Sequence, residues 1–363
     1  MKIFQSKITV LLLILCAEIV CFLTLSFFNK TVDTYYHSFV FDPITTSFRF
    51  LTSKSNIPFG QIIYYLILGF ISTQFLLFIK RIIKAPKDRK KTFKAFFTKS
   101  LYFTTSLYFI YTIFWGLNYA RTPLSEKLNF STDSCSQNEL IELCSLLIKN
   151  TNSSKHAIEQ APLTIDSIYE ISSKIYQNNV LEIAHKPLSY PTIKSVYFPK
   201  IMSWNGLSGI YFPFTAEANI NTDLPRFKIP FITCHELAHQ TGIASESEAN
   251  FYSFLMCQAS QNPQFIYSAN YVAMSYSLHA LHQSDSTTYK RLYKTISPEV
   301  KSDIALSKKY WDNFESPIQI FNNWFYDLFL KANQQEAGIK SYGQMVELLI
   351  SEKRKTGLKR FED

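Results

Sequence analysis

The chain has 363 residues and a formal net charge of +9, long enough for membrane-spanning segments plus one soluble domain of ordinary size. The basic balance invites a nucleic-acid reading. Much of the excess, however, lies in one stretch between apolar runs (Lys80, Arg81, Lys84, Lys87, Arg89, Lys90, Lys91, Lys94 and Lys99), which reads as membrane topology with no nucleic-acid partner. The six cysteines form no CxxC pair and no disulfide framework, and no dinucleotide-binding glycine pattern is present.

In chain order, three apolar runs come first. Residues 8–28 have the length a span needs. They include Glu18, which at membrane depth must face protein or water. This run is too long for a signal-peptide core and lacks a small-residue cleavage site, so it reads as an uncleaved anchor. The second run, 57–79, is entered through Pro58. The third, 101–119, is rich in Tyr and Phe, with Trp115 as an interfacial aromatic. Only Lys30, Arg49 and Lys54 lie between the first two runs, whereas 80–99 is densely basic. The basic loop is therefore expected in the cytoplasm, and everything after 119 outside it. The expected division is a membrane domain, 1–120, with three transmembrane helices, and an extracytoplasmic domain, 121–363.

The outer part reads as mainly α with a small β-sheet. Residues 137–148 and 165–177 carry amphipathic helix patterns, and 150–155 reads as a polar loop. Residues 189–221 change character: Tyr, Val, Ile and Phe runs are broken by Pro191, Pro199, Gly206, Gly209 and Pro213. Short strands are expected there, one near 208–214, and Glu217 and Asn219 are candidates for a cleft. Helical patterns follow near 263–281, 287–296, 298–313, 317–332 and 341–353, several opened by Pro. Cys135 and Cys144 would lie roughly 13 Å apart on a helix, too far for a disulfide.

The stretch that carries chemistry is 231–254, FITCHELAHQTGIASESEANFYSF. His235 and His239 are four apart, so on a helix both imidazoles point to one side and can hold one ion. Glu236 follows the first of them, placed as a general base for a water on that ion. Pro230 suits the helix start and Gly242 its end. Catalytic zinc takes three protein ligands, and Glu246 is the expected third. Glu248 is the alternative, although Ser245 and Glu248 also fit a capping box that would occupy Glu248. Cys234 and Cys257 flank the region. His279 and His282 read as ordinary surface or core residues.

HELAH followed by a helix of form ExxAN (Glu246, Ala249, Asn250) resembles the gluzincin zinc metallopeptidases. It is closest to the membrane-bound CAAX-endopeptidase group, whose ExxAD helix supplies the third ligand. This chain differs in having Asn250 in place of that Asp and in its short connection from His239 to Glu246. The Gly242 spacing echoes metzincins, but their third His would fall on Ser245. More widely, FWGLNYAR (114–121), GIYFPFTAEANIN (209–221), HELAHQTGIASESEANF (235–251) and GIKSYGQMVELL (338–349) resemble an uncharacterised family of bacterial membrane proteins with a domain of unknown function.

These resemblances imply a zincin-like domain anchored in the bacterial inner membrane. Zn²⁺ would sit on His235, His239 and Glu246, with Glu236 as the catalytic base, and the substrate would be a peptide or protein. A strand before the HExxH helix would edge the cleft and pair with the substrate backbone, and Tyr342 is a candidate oxyanion donor. Two other readings use the same residues. One is a non-catalytic envelope or binding protein with a structural or vestigial zinc, closed by Cys234, Cys257 or Glu248. The other is an amidase acting on cell-wall peptides.

Overall fold

The computed structural model describes residues 2–131, 134–158, 161–178, 186–333 and 342–356. The first part of the chain holds α1 (Lys2–Leu25), α2 (Asn29–Thr31), a π-helical stretch Val32–Phe41, α3 (Asp42–Thr52), α4 (Phe59–Lys84), α5 (Arg89–Phe114) and α6 (Leu124–Lys127). Then come α7 (Gln137–His156), α8 (Ile165–Gln177), β1 (Ile193–Ser195), α9 (Pro199–Trp204), β2 (Gly209–Phe212) and β3 (Glu217–Ile220). The remainder is helical: α10 (Ile229–Gln240), α11 (Glu246–Ala259), α12 (Pro263–Ser284), α13 (Ser286–Tyr293), α14 (Pro298–Asp312), α15 (Pro317–Ala332) and α16 (Tyr342–Thr356). The mainly helical architecture with a small sheet matches the expectation.

Local chemistry explains most boundaries. Ser136 and Glu139 close a reciprocal capping box on α7. Thr164, Asn262, Asp285, Ser297 and Ser316 each accept a backbone N–H at the start of α8, α12, α13, α14 and α15. One boundary differs. Residues 150–155, expected as a polar loop, continue α7. Thr151 and Ser154 are buried there, and their hydroxyls donate back to the Leu147 and Asn150 carbonyls at 2.6 and 2.7 Å. Packing against α12 overrides the polar composition.

Among the described residues two helices, not the expected three, are long and apolar enough to cross a membrane: α1, over 7–25, and α4. α5 falls short because its first half carries Arg89, Lys90, Lys91, Lys94 and Lys99, and its second half Thr104, Thr105, Ser106 and Thr112. It ends at Phe114, and Gly116–Ala120 is a 3-10 turn. α5 packs along both α1 and α4. Trp115, expected at an interface, is instead buried against Phe41 and Tyr211, with ring centroids 6.3 and 5.0 Å away.

The sheet has the order β1–β3–β2. β1 runs parallel to β3 with Lys194 opposite Asn219, and β2 antiparallel with Tyr211 opposite Ala218. α10 lies between this sheet and helices α8, α11 and α12, and Ile229, Cys234, Leu237 and Ala238 are fully buried in the main core.

The segment between α1 and α4 is built into the same unit. Asp33 accepts from Arg121 Nε at 2.6 Å and Lys127 Nζ at 3.0 Å, with Asp33 and Arg121 almost fully buried. Arg49 is buried and donates to the carbonyls of Ser189 and Gln240 at 2.8 and 3.4 Å. Glu217 and Asn219, expected as candidates for a cleft, are fully buried. Glu217 pairs with Lys194 at 3.3 Å and accepts the Gly60 N–H at the start of α4 at 2.6 Å.

Candidate metal centre

Pro230 lies in the first turn of α10, where its missing N–H costs nothing. Past the other end Gly242 adopts φ +85°. A side chain there would also run into Phe41 and Asn118, at 2.9 and 3.0 Å from its Cβ. The carbonyls at this negative helix end are met by cations: Arg121 Nη1 donates to Thr241 and Gly242 at 3.2 and 3.0 Å, and Arg49 to Gln240. The helix is thereby fixed at both ends.

On that face His235 and His239 stand perpendicular, with their Nε2 atoms 3.2 Å apart. The chain turns within a few residues, and Glu246 opens α11 directly opposite. Its carboxylate oxygens lie 3.2 Å from His235 Nε2 and 3.7 Å from His239 Nε2. Among the described residues these three are the group of His, Cys, Asp and Glu whose ligand atoms converge, all within 4.8 Å of one another. Zinc–nitrogen bonds of 2.0–2.1 Å at tetrahedral angles place two ligand atoms roughly 3.3 Å apart. The donor set therefore fits a divalent ion of that kind.

The surroundings orient these side chains. His239 Nδ1 pairs with the Ile243 carbonyl at 2.7 Å, which favours the tautomer whose Nε2 lone pair faces the cluster. Trp115 and Tyr211 wall that ring, with centroids 5.7 and 6.5 Å away. Asn250 is the polar neighbour of His235. Burial pushes the His239 imidazole down to about 4, keeping it neutral and able to bind a metal at pH 7. Burial also works against charge on His235, but the hydrogen bond and charge of Glu246 outweigh it and its pKa is raised. Burial pushes the Glu236 carboxyl up to about 8, the direction a cation in the cluster would reverse.

Glu236 lies beside the cluster under β2. The Tyr211 N–H is its backbone partner. Gly209 passes so close that any Cβ there would overlap the Glu236 carboxylate, lying 2.8 Å from its Cγ and 2.9 Å from its Cδ. The alternation follows from register: Asn221 N donates to the Ser208 carbonyl, so Gly209 and Tyr211 direct their backbone groups away from β3. This outer edge of β2 borders a mostly apolar cleft of about 900 Å³ that includes His235, Glu236, Glu246 and Asn250. A polar cavity of about 590 Å³, lined by Arg121, Lys127 and Glu248, contains none of the four site residues.

Glu248 does not join the cluster, and its expected capping box with Ser245 does not form. Ser245 makes no cap hydrogen bond and pairs with Ser247 Oγ at 2.9 Å. Glu248 accepts the Leu124 N–H at 2.6 Å, and its burial raises its pKa despite Lys127 and Arg121 nearby. Cys234 and Cys257 are buried neighbours of each other, outside the ligand cluster. His279 and His282 lie outside it too, beside Gln283 and Tyr289. The Tyr342 side chain lies outside the described residues.

Sequence reasoning missed Arg49, Asp33 and Lys228. Arg49 and Asp33 lie between the first two apolar runs. Lys228 lines the cleft, with Ser307 Oγ at 3.4 Å as its hydrogen-bond partner, and burial pushes its ammonium down to about 8. A half-buried cation in a cleft is a ready site for an anionic group of a ligand.

Fold and site together define an α-rich protein with a small sheet, two helices capable of spanning a membrane and a His–His–Glu cluster beside a buried glutamate. Over residues 36–350 the chain matches the family described as protein of unknown function DUF3810, and it belongs to that family. No curated protein and no solved structure matches it.

Proposed function

We propose that the chain is a membrane-anchored, zinc-dependent peptidase that hydrolyses peptide bonds on the outer side of the bacterial cytoplasmic membrane. The observation that carries this reading is the convergence of His235, His239 and Glu246 with Glu236 beside them at the edge of a cleft of about 900 Å³. α1 and α4 cross the bilayer, α5 accompanies them as a less apolar third helix, and the basic residues around the α4–α5 connection stay in the cytoplasm.

Zinc, when bound, supplies a Lewis acid that polarises the scissile carbonyl and acidifies a water to near neutrality. The outer edge of β2 holds an extended peptide by backbone pairing, which gives affinity without strong sequence preference. Lys228 meets a carboxylate of the substrate. Glu236 takes the proton of the attacking water at a carboxylate oxygen and returns it to the leaving amine nitrogen as the C–N bond breaks.

A structural zinc would need a fourth protein ligand. The engagement of Glu248 with Leu124 and the pairing of Cys234 with Cys257 favour an open position instead. The test uses the full chain in detergent with a quenched-fluorescent peptide library. Glu236→Gln should keep its zinc and lose turnover by about 10²-fold or more. Cleavage by that variant at the parent rate, or no cleavage by the zinc-loaded parent, would sink the reading.

A further inference from the structure

The cleft is lined by the first turns of α4, at Gln61, Tyr64 and Tyr65, and by Asn322, Phe325 and Phe329 of α15, with the exposed Tyr64 and Phe325 at its mouth. The level of this mouth follows from helix pairing. Phe78 stacks on Phe96 at 4.2 Å and Phe70 meets Phe103 at 6.4 Å, so α4 and α5 run antiparallel. The start of α4 and the end of α5 therefore leave a bilayer on the same side.

Two helices are attached at that level. The residues leading into α9 dock on α4: Phe198 packs edge-on against Tyr65 at 5.9 Å, and the Tyr197 N–H donates to Gln61 Oε1 at 2.8 Å. α15 docks on the end of α5, where Phe329 meets Tyr111 at 5.8 Å and the Tyr111 hydroxyl donates to Asn333 Oδ1 at 2.9 Å. Asn322 Nδ2 donates to Asn205 Oδ1 at 2.5 Å and joins α15 to the end of α9.

From this frame large apolar side chains project outward. Trp204 is 50 % exposed and Trp324 58 %, with Phe198, Ile201, Phe325 and Leu328 exposed beside them. Asp327 and Lys331 on α15 neutralise each other at 2.6 Å. Isolated exposed hydrophobes need no explanation, but a grouped aromatic surface continuous with a spanning helix does. Tryptophan and tyrosine concentrate where spans meet water, and a short amphipathic helix with an aromatic face lies in the plane of that interface.

We propose that α9 and α15 lie in the headgroup region of the bilayer that α4 crosses, so that the mouth of the cleft faces the membrane surface. This rests on α4 spanning the bilayer, as proposed above, and not on peptidase activity. The partner of the exposed face is lipid, and the site is loaded at the membrane plane rather than from bulk water.

The experiment places the full chain in phosphatidylcholine–phosphatidylglycerol vesicles with or without acyl chains brominated near the headgroup, and reads tryptophan emission. With two of the four tryptophans on this face, brominated lipid should reduce parent emission to roughly half. The Trp204→Phe/Trp324→Phe variant should lose most of that decrement. Leu68→Trp, added to this double variant, places a reporter in the middle of α4, and it should be quenched by lipid brominated near the chain ends. Undiminished quenching in the double variant overturns the proposal. So does an unquenched parent: if the Leu68→Trp reporter is then quenched, the span stands and only the interfacial seating fails. If the reporter too is silent, the span fails with it.

Discussion

The buried pair Lys194–Glu217 offers the sharpest test of how the sheet is joined to the helix that enters the membrane. The two side chains are 2 % and 0 % exposed. Lys194 Nζ donates to the carbonyls of Thr52 at 2.7 Å, Ile57 at 3.0 Å and Ser55, holding the connection from α3 to α4. Glu217 accepts from the Gly60 and Phe59 N–H groups at 2.6 and 3.4 Å and from Thr215 Oγ1 at 3.0 Å, placing a negative charge at the positive end of α4. Removing one partner strands the other charge in a dry site, which costs about 3–5 kcal/mol, whereas replacing both with apolar groups is often near neutral. For a domain of this size that loss lowers the thermal midpoint by roughly 6–20 °C. Lys194→Met and Glu217→Leu should each show this, and the double variant should recover most of it. The assay is thermal unfolding of the full chain in detergent followed by far-UV circular dichroism. Single variants that lose under about 1 kcal/mol, or a double variant that loses the sum of both, would refute the reasoning.

Other outcomes follow from the same geometry. Burial alone would raise the Asp33 pKa, but the Arg121 guanidinium outweighs it and holds the carboxyl well below its usual range. Its contribution to stability is therefore complete above the unfolded-state value near 4 and fades as the pH falls below it. Asp33→Asn should be less stable at neutral pH and show a shallower acid limb; parallel pH curves for parent and variant would contradict this. Lys228, pushed down to about 8 from 10.5, disfavours the folded state at neutral pH by up to about 3 kcal/mol. Parent stability should rise between those two pH values, and Lys228→Met should be more stable at pH 7 with a smaller rise, the remainder coming from Lys127 and Lys194, whose pKa burial also lowers; an equal rise in the variant would exclude Lys228 as a source. Gly209→Ala should keep zinc and lose about 10²-fold in turnover, because its Cβ displaces Glu236. A fully active Gly209→Ala would mean that the carboxylate can work from elsewhere.

Much of the site was legible in the sequence because it is local. The four-residue spacing of His235 and His239, Pro230 before them and Gly242 after them define α10 without tertiary information. Glu246 is close enough in sequence that a tight turn delivers it to the cluster. The strand at 209–212 and the start of α15 were readable for the same reason. What the sequence hid depends on distant partners. Ser245 and Glu248 fit a capping box by spacing, but Leu124, more than a hundred residues upstream, takes the Glu248 carboxylate. Residues 150–155 look like a loop until α12 packs on them. Arg49 and Asp33 sit in a stretch that reads as a connection between two spans, and only the folded chain brings Arg49 to Gln240 and Asp33 to Arg121. Trp115 looks interfacial by position and is buried against His239 because the chain turns inward after α5.

The most direct measurement is the metal content of the purified full chain and of its His239→Ala, Glu246→Ala and Glu248→Ala variants. About one zinc per chain is expected in the parent and in Glu248→Ala, and loss of the ion in the other two. A parent that takes up no zinc after reconstitution, or a Glu246→Ala variant that keeps it, would contradict the assignment of His235, His239 and Glu246 as the ligands.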